Sequence, residues 1–329
     1  MDTKHLTRAG KQHEVGQQAH ASRPGNTRRV LKTVVTVVSI LIVLGGLGMA
    51  IWWASPSPDD FGTMRQMRDH LVKSLEAPGL TVRPVSDHFT SYRLGLNPLF
   101  ALMFRSGELD LFMRSWESQR LAAASVSQFE IGTGSGRYFD FTFMLRAKPE
   151  WAAPVFHGDA LMALPGVTGA LYMDFYDPAG TIDLAAFFGP RADRLKAARA
   201  RVDAWWNRGN FGKLTPHLDP WKSSWRVELH EPKNATPEQR KAYFAAAMEI
   251  YPTYLAVYLE SLAALTGTLD AVATEKNRQG IRNFVRTLYE KDVAVAMGRM
   301  LFPAADFDAY LLDGFWGTGT EGVKPAAAD

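Results

Sequence analysis

Between Thr33 and Trp53 the chain runs TVVTVVSILIVLGGLGMAIWW, 21 residues without a charged side chain. A helix needs about 20 apolar residues to cross a bilayer, and lipid leaves no other backbone partner, so a run of this kind is restricted to a helix. The sequence predicts one transmembrane helix over residues 30–53, with Trp52 and Trp53 at headgroup level. A cleaved signal peptide fits less well, because a long region leads the run and bulky Trp52 stands just before any cut after Ala54. Residues 1–29 are polar, aperiodic and expected to be disordered. Residues 1–32 hold Lys4, Arg8, Lys11, Arg23, Arg28, Arg29 and Lys32 against Asp2 and Glu14, so the net charge of +3 sits in this flank and the remainder is slightly acidic. By the positive-inside rule the N-terminus is expected in the cytoplasm, which implies a single-pass inner-membrane protein with its domain in the periplasm, the opposite orientation being the alternative. A body without a basic stripe excludes a nucleic-acid binder. There is no cysteine, which excludes disulfides and thiolate metal sites.

Past the span, a linker over 54–62 (containing SPSPDD) leads into one domain, 63–318, and a disordered tail, 319–329. The domain opens with a helix of about 15 residues whose stripe is Met64, Met67, Leu71 and Leu75. Strand-like segments follow: GLTVRPV, SYRLGL, VSQFEI, YFDFTFML, PVFHGDALMAL and VTGALYMDFY, the last two flanking a turn at Pro165-Gly166. Their short separations suit antiparallel connections. From residue 191 the pattern is helical: Leu195, Ala198, Val202 and Trp205 recur at helical spacing up to Gly209, TPEQ at 236–239 is a capping box, and a last helix covers about 274–300. Strands followed by helices predict an α+β fold, a central antiparallel sheet with helices on its faces.

Two acids stand where apolar residues are expected. Asp159 lies in a strand among Val155, Phe156, Leu161 and Met162, with His157 two residues earlier and so on the same face. A carboxyl stripped of water binds its proton more tightly, which makes it a candidate proton donor. The alternative is a polar pair on the wet face of an edge strand. Asp292 shares a helical stripe with Ile281, Val285, Leu288 and Val295; the alternative is a stripe-edge residue paired with Lys291 or Arg286. Glu130, in SQFEIG, is a third candidate. GxGxxG, P-loop, HExxH and GxSxG patterns are absent. Arg191, Arg194, Lys196, Arg199 and Arg201 form a basic helix face, either a solvated surface or a docking site for an acidic protein.

Taken together, these residues resemble the ferredoxin-dependent bilin reductases. PVFHGD resembles the stretch that carries the central catalytic aspartate of that family, with Asp159 in its place, and Glu130 matches the position of a glutamate used in the phycocyanobilin-forming branch. EPKNATPEQRKAYF resembles a family stretch entering a helix, and FVRTLYEKDVAVAMGRMLFPAADFDAYLLDGFW resembles its C-terminal signature, with Asp292 at the second family aspartate. The resemblance covers residues 80–316 in consistent order. Thr142 stands where one branch has a catalytic histidine, and Lys291, Glu231 and Val293 replace an Asn, an Arg and a basic residue.

The resemblance implies an α/β/α sandwich that reduces a linear tetrapyrrole such as biliverdin by single electrons. No cofactor is tightly bound, and an external carrier such as ferredoxin, an acidic electron-transfer protein, supplies the electrons. Asp159 is then the principal proton donor, His157 and Glu130 relay protons or direct regiochemistry, Asp292 is a second donor, and Thr142 and Arg146 contact substrate. No metal is expected. Two other readings stand beside it: a non-catalytic binding protein for a tetrapyrrole or other apolar ligand, and a membrane-tethered interaction domain.

Overall fold

The computed structural model describes residues 61–76, 79–85, 89, 92–95, 101, 107–131, 138–162, 169–205, 215–231 and 235–317. The run Thr33–Trp53, both tails, the linker up to residue 60, the Pro165-Gly166 turn and Gly209 lie outside them. Among the described residues no helix is long and apolar enough to cross a membrane.

Eight strands make one antiparallel sheet: β1 (Thr81–Val82), β2 (Tyr92–Gly95), β3 (Glu108–Glu117), β4 (Leu121–Ile131), β5 (Tyr138–Ala147), β6 (Val155–Met162), β7 (Ala170–Tyr176) and β8 (Val227–His230). Their order is β1-β3-β4-β5-β6-β7-β8, with β2 also on β3. From β3 to β7 each strand pairs with the next in sequence, so the centre is a meander. Periodicity alone had not marked β3 and β8 as strands: β8 is four residues long, and β3 carries Glu108, Asp110, Arg114 and Glu117 between its apolar residues. Its buried Leu109, Leu111 and Met113 nevertheless alternate with those charges, the pattern of a strand with one apolar and one polar face.

Alternation sends the two halves of each strand into different cores. On β5, Phe139, Phe141, Phe143 and Leu145 join one cluster, which packs under α1 (Phe61–Leu75), α2 (Leu184–Phe188), α3 (Ala192–Val202) and α4 (Pro237–Ala264). Met64, Met67, Leu71 and Leu75 all face this core, and the stripe Leu195, Ala198 and Val202 does the same. Each of these Met, Leu and Val side chains contributes roughly 1.5–3 kcal/mol on burial. The α4 capping box is complete: Thr236 Oγ1 accepts from Gln239 N (3.2 Å) and Gln239 Oε1 from Thr236 N (2.9 Å). The basic face around α3 is not an open cationic patch. Arg194 and Arg191 meet Glu260 (2.5 and 3.6 Å), Arg201 meets Glu249 (2.6 Å), Lys196 meets Asp193 (2.9 Å), and Arg199 donates to Ser224 O (2.5 Å). Acidic residues of α4 thus neutralise much of what the sequence displays as basic.

The other sheet face carries Tyr138 and Met144 of β5 into a second core, beneath α5 (Ala271–Lys291), α6 (Val293–Leu301), α7 (Ala304–Asp308), a π-helical segment (Ala309–Trp316) and a 3-10 turn (Pro216–Trp221). The result is α+β, a sheet between two helical layers. One expectation is corrected here: the last helix is not continuous over 274–300. It breaks at Asp292, which is extended (φ −74°, ψ 133°); its N–H caps α5 on Leu288 O (3.0 Å) and its carboxylate caps α6 by accepting from Ala294 N (2.7 Å). Aspartate accepts from a free helix N–H more readily than it continues a helix, so the break follows from the residue.

Candidate functional site

Between the second sheet face and this C-terminal layer lies a cleft of about 280 Å³. Strand alternation supplies its floor: Phe129 from β4, Tyr138, Asp140 and Thr142 from β5, and His157 and Asp159 from β6. Its other walls come from Thr215, from Leu288 of α5, from Asp292, Ala294 and Val295 at the start of α6, and from Phe307, Tyr310, Leu311, Phe315 and Trp316. Aromatic rings thus enclose three carboxyl groups.

Asp159 does not sit on an edge strand, because β6 lies between β5 and β7. Its Oδ1 is 3.6 Å from His157 Nε2, and Thr142, directly opposite on β5, is 3.3 Å from the same nitrogen. Desolvation raises the Asp159 pKa and the neighbouring Asp292 charge adds to this, while His157 and a Thr142 hydrogen bond oppose it. The result is a carboxyl pushed above its usual range. His157 itself is buried, and its Nδ1 has no hydrogen-bond partner among the described residues. Gly158 between them is required by packing, because a Cβ there would stand 2.5 Å from the Phe143 ring and 2.8 Å from Tyr172 O.

Asp140 is the acid that the sequence reading overlooked. It follows the same rule as Asp159, a carboxylate among Phe139, Phe141 and Phe143, but FDFTFML reads at first only as a strand. Desolvation, with the charges of Asp159 and Asp292, lifts its pKa to about 8 against one stabilising hydrogen bond from Tyr138 OH (2.9 Å). At neutral pH it is therefore mostly protonated, and its Oδ1 has no partner among the described residues. Such a group is an O–H donor waiting for an acceptor.

Asp292 behaves in the opposite way. Burial alone would raise its pKa, but His217, the Ala294 N–H and the positive charge available to His157 together hold it below the usual value. The His217 Nε2–Asp292 Oδ2 separation of 3.6 Å is an electrostatic contact rather than a hydrogen bond. His217 arrives on the 3-10 turn that precedes Ser223, where Asp174 of β7 takes Ser223 N (3.0 Å) and Ser223 Oγ (2.5 Å). A helix N-terminus and two imidazoles thus favour the ionised form of Asp292, the opposite of the direction in which Asp159 and Asp140 are pushed.

The chain matches no protein-family model and no curated protein. Among solved structures it is similar to phytochromobilin synthase from tomato, crystallised in complex with biliverdin: 14% identity over 82% of this chain and 86% of that one, with a TM-score of 0.57. The chain has a bilin-reductase-like fold. Within that fold the sequence-predicted residues divide. Asp159, His157, Thr142 and Asp292 line one cleft. Glu130 does not: it points to the opposite sheet face, where Arg65 of α1 binds it through two nitrogens (Nε–Oε2 3.1 Å), so it is not among the residues brought together in the cleft. Residue 129, not 130, has the parity that faces the cleft.

Arg146 is on the correct face but serves the wall. It is buried, and its Nη2 donates to Trp316 O (2.9 Å). Arg83 does the same nearby, donating to Asp313 O (2.7 Å), to Gly314 O and to Ser115 Oγ (3.0 and 2.8 Å). Ser127 Oγ and Tyr310 OH share a further hydrogen bond. These contacts strap the π-helical segment onto β3–β5, and so hold Tyr310, Leu311, Phe315 and Trp316 in place as cleft wall.

Proposed function

We propose that the chain binds a linear tetrapyrrole of the biliverdin type in this cleft and reduces it by proton-coupled single-electron transfers. Reduction of one double bond takes two electrons from an external carrier such as ferredoxin and two protons from cleft acids. Asp159 is the principal donor, His157 re-supplies its proton, and Asp140 rather than Asp292 is the second donor. Asp292 remains an anion that steadies the ligand as it gains protons. In the same reading the span Thr33–Trp53 anchors this domain to the membrane.

One observation carries the proposal: two carboxyl groups on adjacent strands, both with raised pKa, face the same aromatic cleft of a fold shared with a biliverdin-bound synthase. General acids work best when their pKa lies near the operating pH, and burial among rings is how a strand aspartate reaches that range. The test is anaerobic reduction of biliverdin by the full chain with a ferredoxin system, followed by absorbance. The wild type is expected to shift the ligand spectrum on binding and then to bleach it. Asp159→Asn should keep the shift and slow bleaching by about 10²–10⁴-fold. A shift that is never followed by bleaching in the wild type supports the non-catalytic binding-protein reading, and bleaching by Asp159→Asn at the wild-type rate overturns the assignment.

A further inference from the structure

Among the described residues that line the cleft there are three carboxyl groups and neither a lysine nor an arginine. The guanidiniums that approach its walls are occupied elsewhere. Arg146 and Arg83 are spent on backbone carbonyls of the C-terminal strap, and Arg299 donates to Tyr289 O (2.8 Å) while lying over the Tyr289 ring at 4.1 Å. A buried carboxylate brought by a ligand therefore meets Asp292, which is capped and ionised, while the imidazoles at hand already face the cleft's own acids: His217 stands 3.6 Å from Asp292 and His157 3.6 Å from Asp159. Two like charges in a cleft of low dielectric repel far more strongly than in water, and an unpaired buried charge is costly in itself. A ring N–H or a protonated ring nitrogen meets the opposite situation, since Asp159, Asp292 and Thr142 all offer acceptor oxygens.

We infer that the cleft selects a tetrapyrrole whose buried part is neutral or cationic, with ring nitrogens toward the aspartates and every ligand carboxylate kept outside or absent. This rests on the tetrapyrrole reading above and narrows it to an N–H-rich, carboxylate-poor ligand class. Discrimination comes from Asp292: it repels the acid and attracts the nitrogen, the two halves of specificity.

The test compares biliverdin, a diacid, with biliverdin dimethyl ester by equilibrium absorbance titration of the full chain in one detergent. At low salt the ester should bind about tenfold or more tightly than the diacid, the size of a single like-charge contact across a partly screened cleft. Raising the salt should strengthen diacid binding and leave the ester unchanged. In Asp292→Asn, whose amide still caps α6, the preference should shrink to about threefold or less. Tighter binding of the diacid, or a diacid affinity that falls with salt, overturns the inference and leaves the tetrapyrrole reading standing. An ester preference unchanged in Asp292→Asn also overturns it, because ester hydrophobicity alone then explains the preference. Should neither ligand bind, the tetrapyrrole reading falls and this inference falls with it.

Discussion

Asp140 and Asp292 are the same residue type in one cleft, yet their surroundings push them in opposite directions. Aromatic neighbours and other carboxylates lift Asp140 from 3.8 to about 8, whereas a helix N-terminus and two imidazoles hold Asp292 down. The first shift carries a sign that can be measured. Folded Asp140 keeps a proton that the unfolded chain releases near pH 4, so its contribution is harmless below that pH and increasingly destabilising as pH rises from about 4 to about 8. Asp140→Asn should remove this slope and gain roughly 2–4 kcal/mol over wild type at pH 9, with no gain at pH 4, read from denaturant melts at both pH values. The same variant should abolish any fall in reduction rate through pH 8. Asp159 and His157 were legible in the sequence, because a polar pair two residues apart in an apolar strand must share a face. Asp140 carried the same signal in FDFTFML, where the surrounding phenylalanines masked it. The face of Glu130 was not legible, since it depends on the register Phe129↔Asp140, and register is decided by partner strands rather than by the strand itself.

At the level of elements, the cleft depends on how the C-terminal segments are held. Gly298 of α6 allows Phe307 to pack against it, and a Cβ there would run into the Phe307 ring. Gly298→Ala should therefore cost about 1–3 kcal/mol by denaturant melt and weaken ligand binding as α6 and α7 separate. Arg83→Met tests the strap. It leaves the Asp313 and Gly314 carbonyls without their donor, at about 1–3 kcal/mol for each buried group. Faster hydrogen exchange should then be confined to residues 309–316, with β3–β5 unchanged. Most elements could be read from pattern: the α1 stripe, the α4 capping box and the central strands all follow local rules. The break at Asp292 was missed because the apolar stripe runs through it, from Leu288 to Val295, and the stripe alone cannot distinguish one helix from two joined by a capping aspartate. The neutralised α3 face was equally invisible, because Glu249 and Glu260 belong to α4, which follows α3 only after the 3-10 turn and β8.

For the whole molecule, the reading joins an anchored N-terminus to a sheet domain that handles protons. The anchor has its own test: the full chain should stay with membranes through alkaline extraction, and a variant lacking residues 30–53 should be released. Architecture followed from the order of strands before helices, whereas the cleft required the two layers to be placed together in space. Carboxyl groups held protonated at neutral pH, within reach of a bound ligand, are the central claim. Infrared spectroscopy of the full chain, titrated from pH 6 to 9, reads them directly through the carbonyl band of a protonated carboxyl. The account predicts such a band at pH 7, with one component lost with a midpoint near 8, that component missing in Asp140→Asn while the Asp159 contribution remains, and the band shifted when biliverdin binds. A spectrum at pH 6.5 with every carboxyl ionised, or a band indifferent to both the substitution and the ligand, would contradict it.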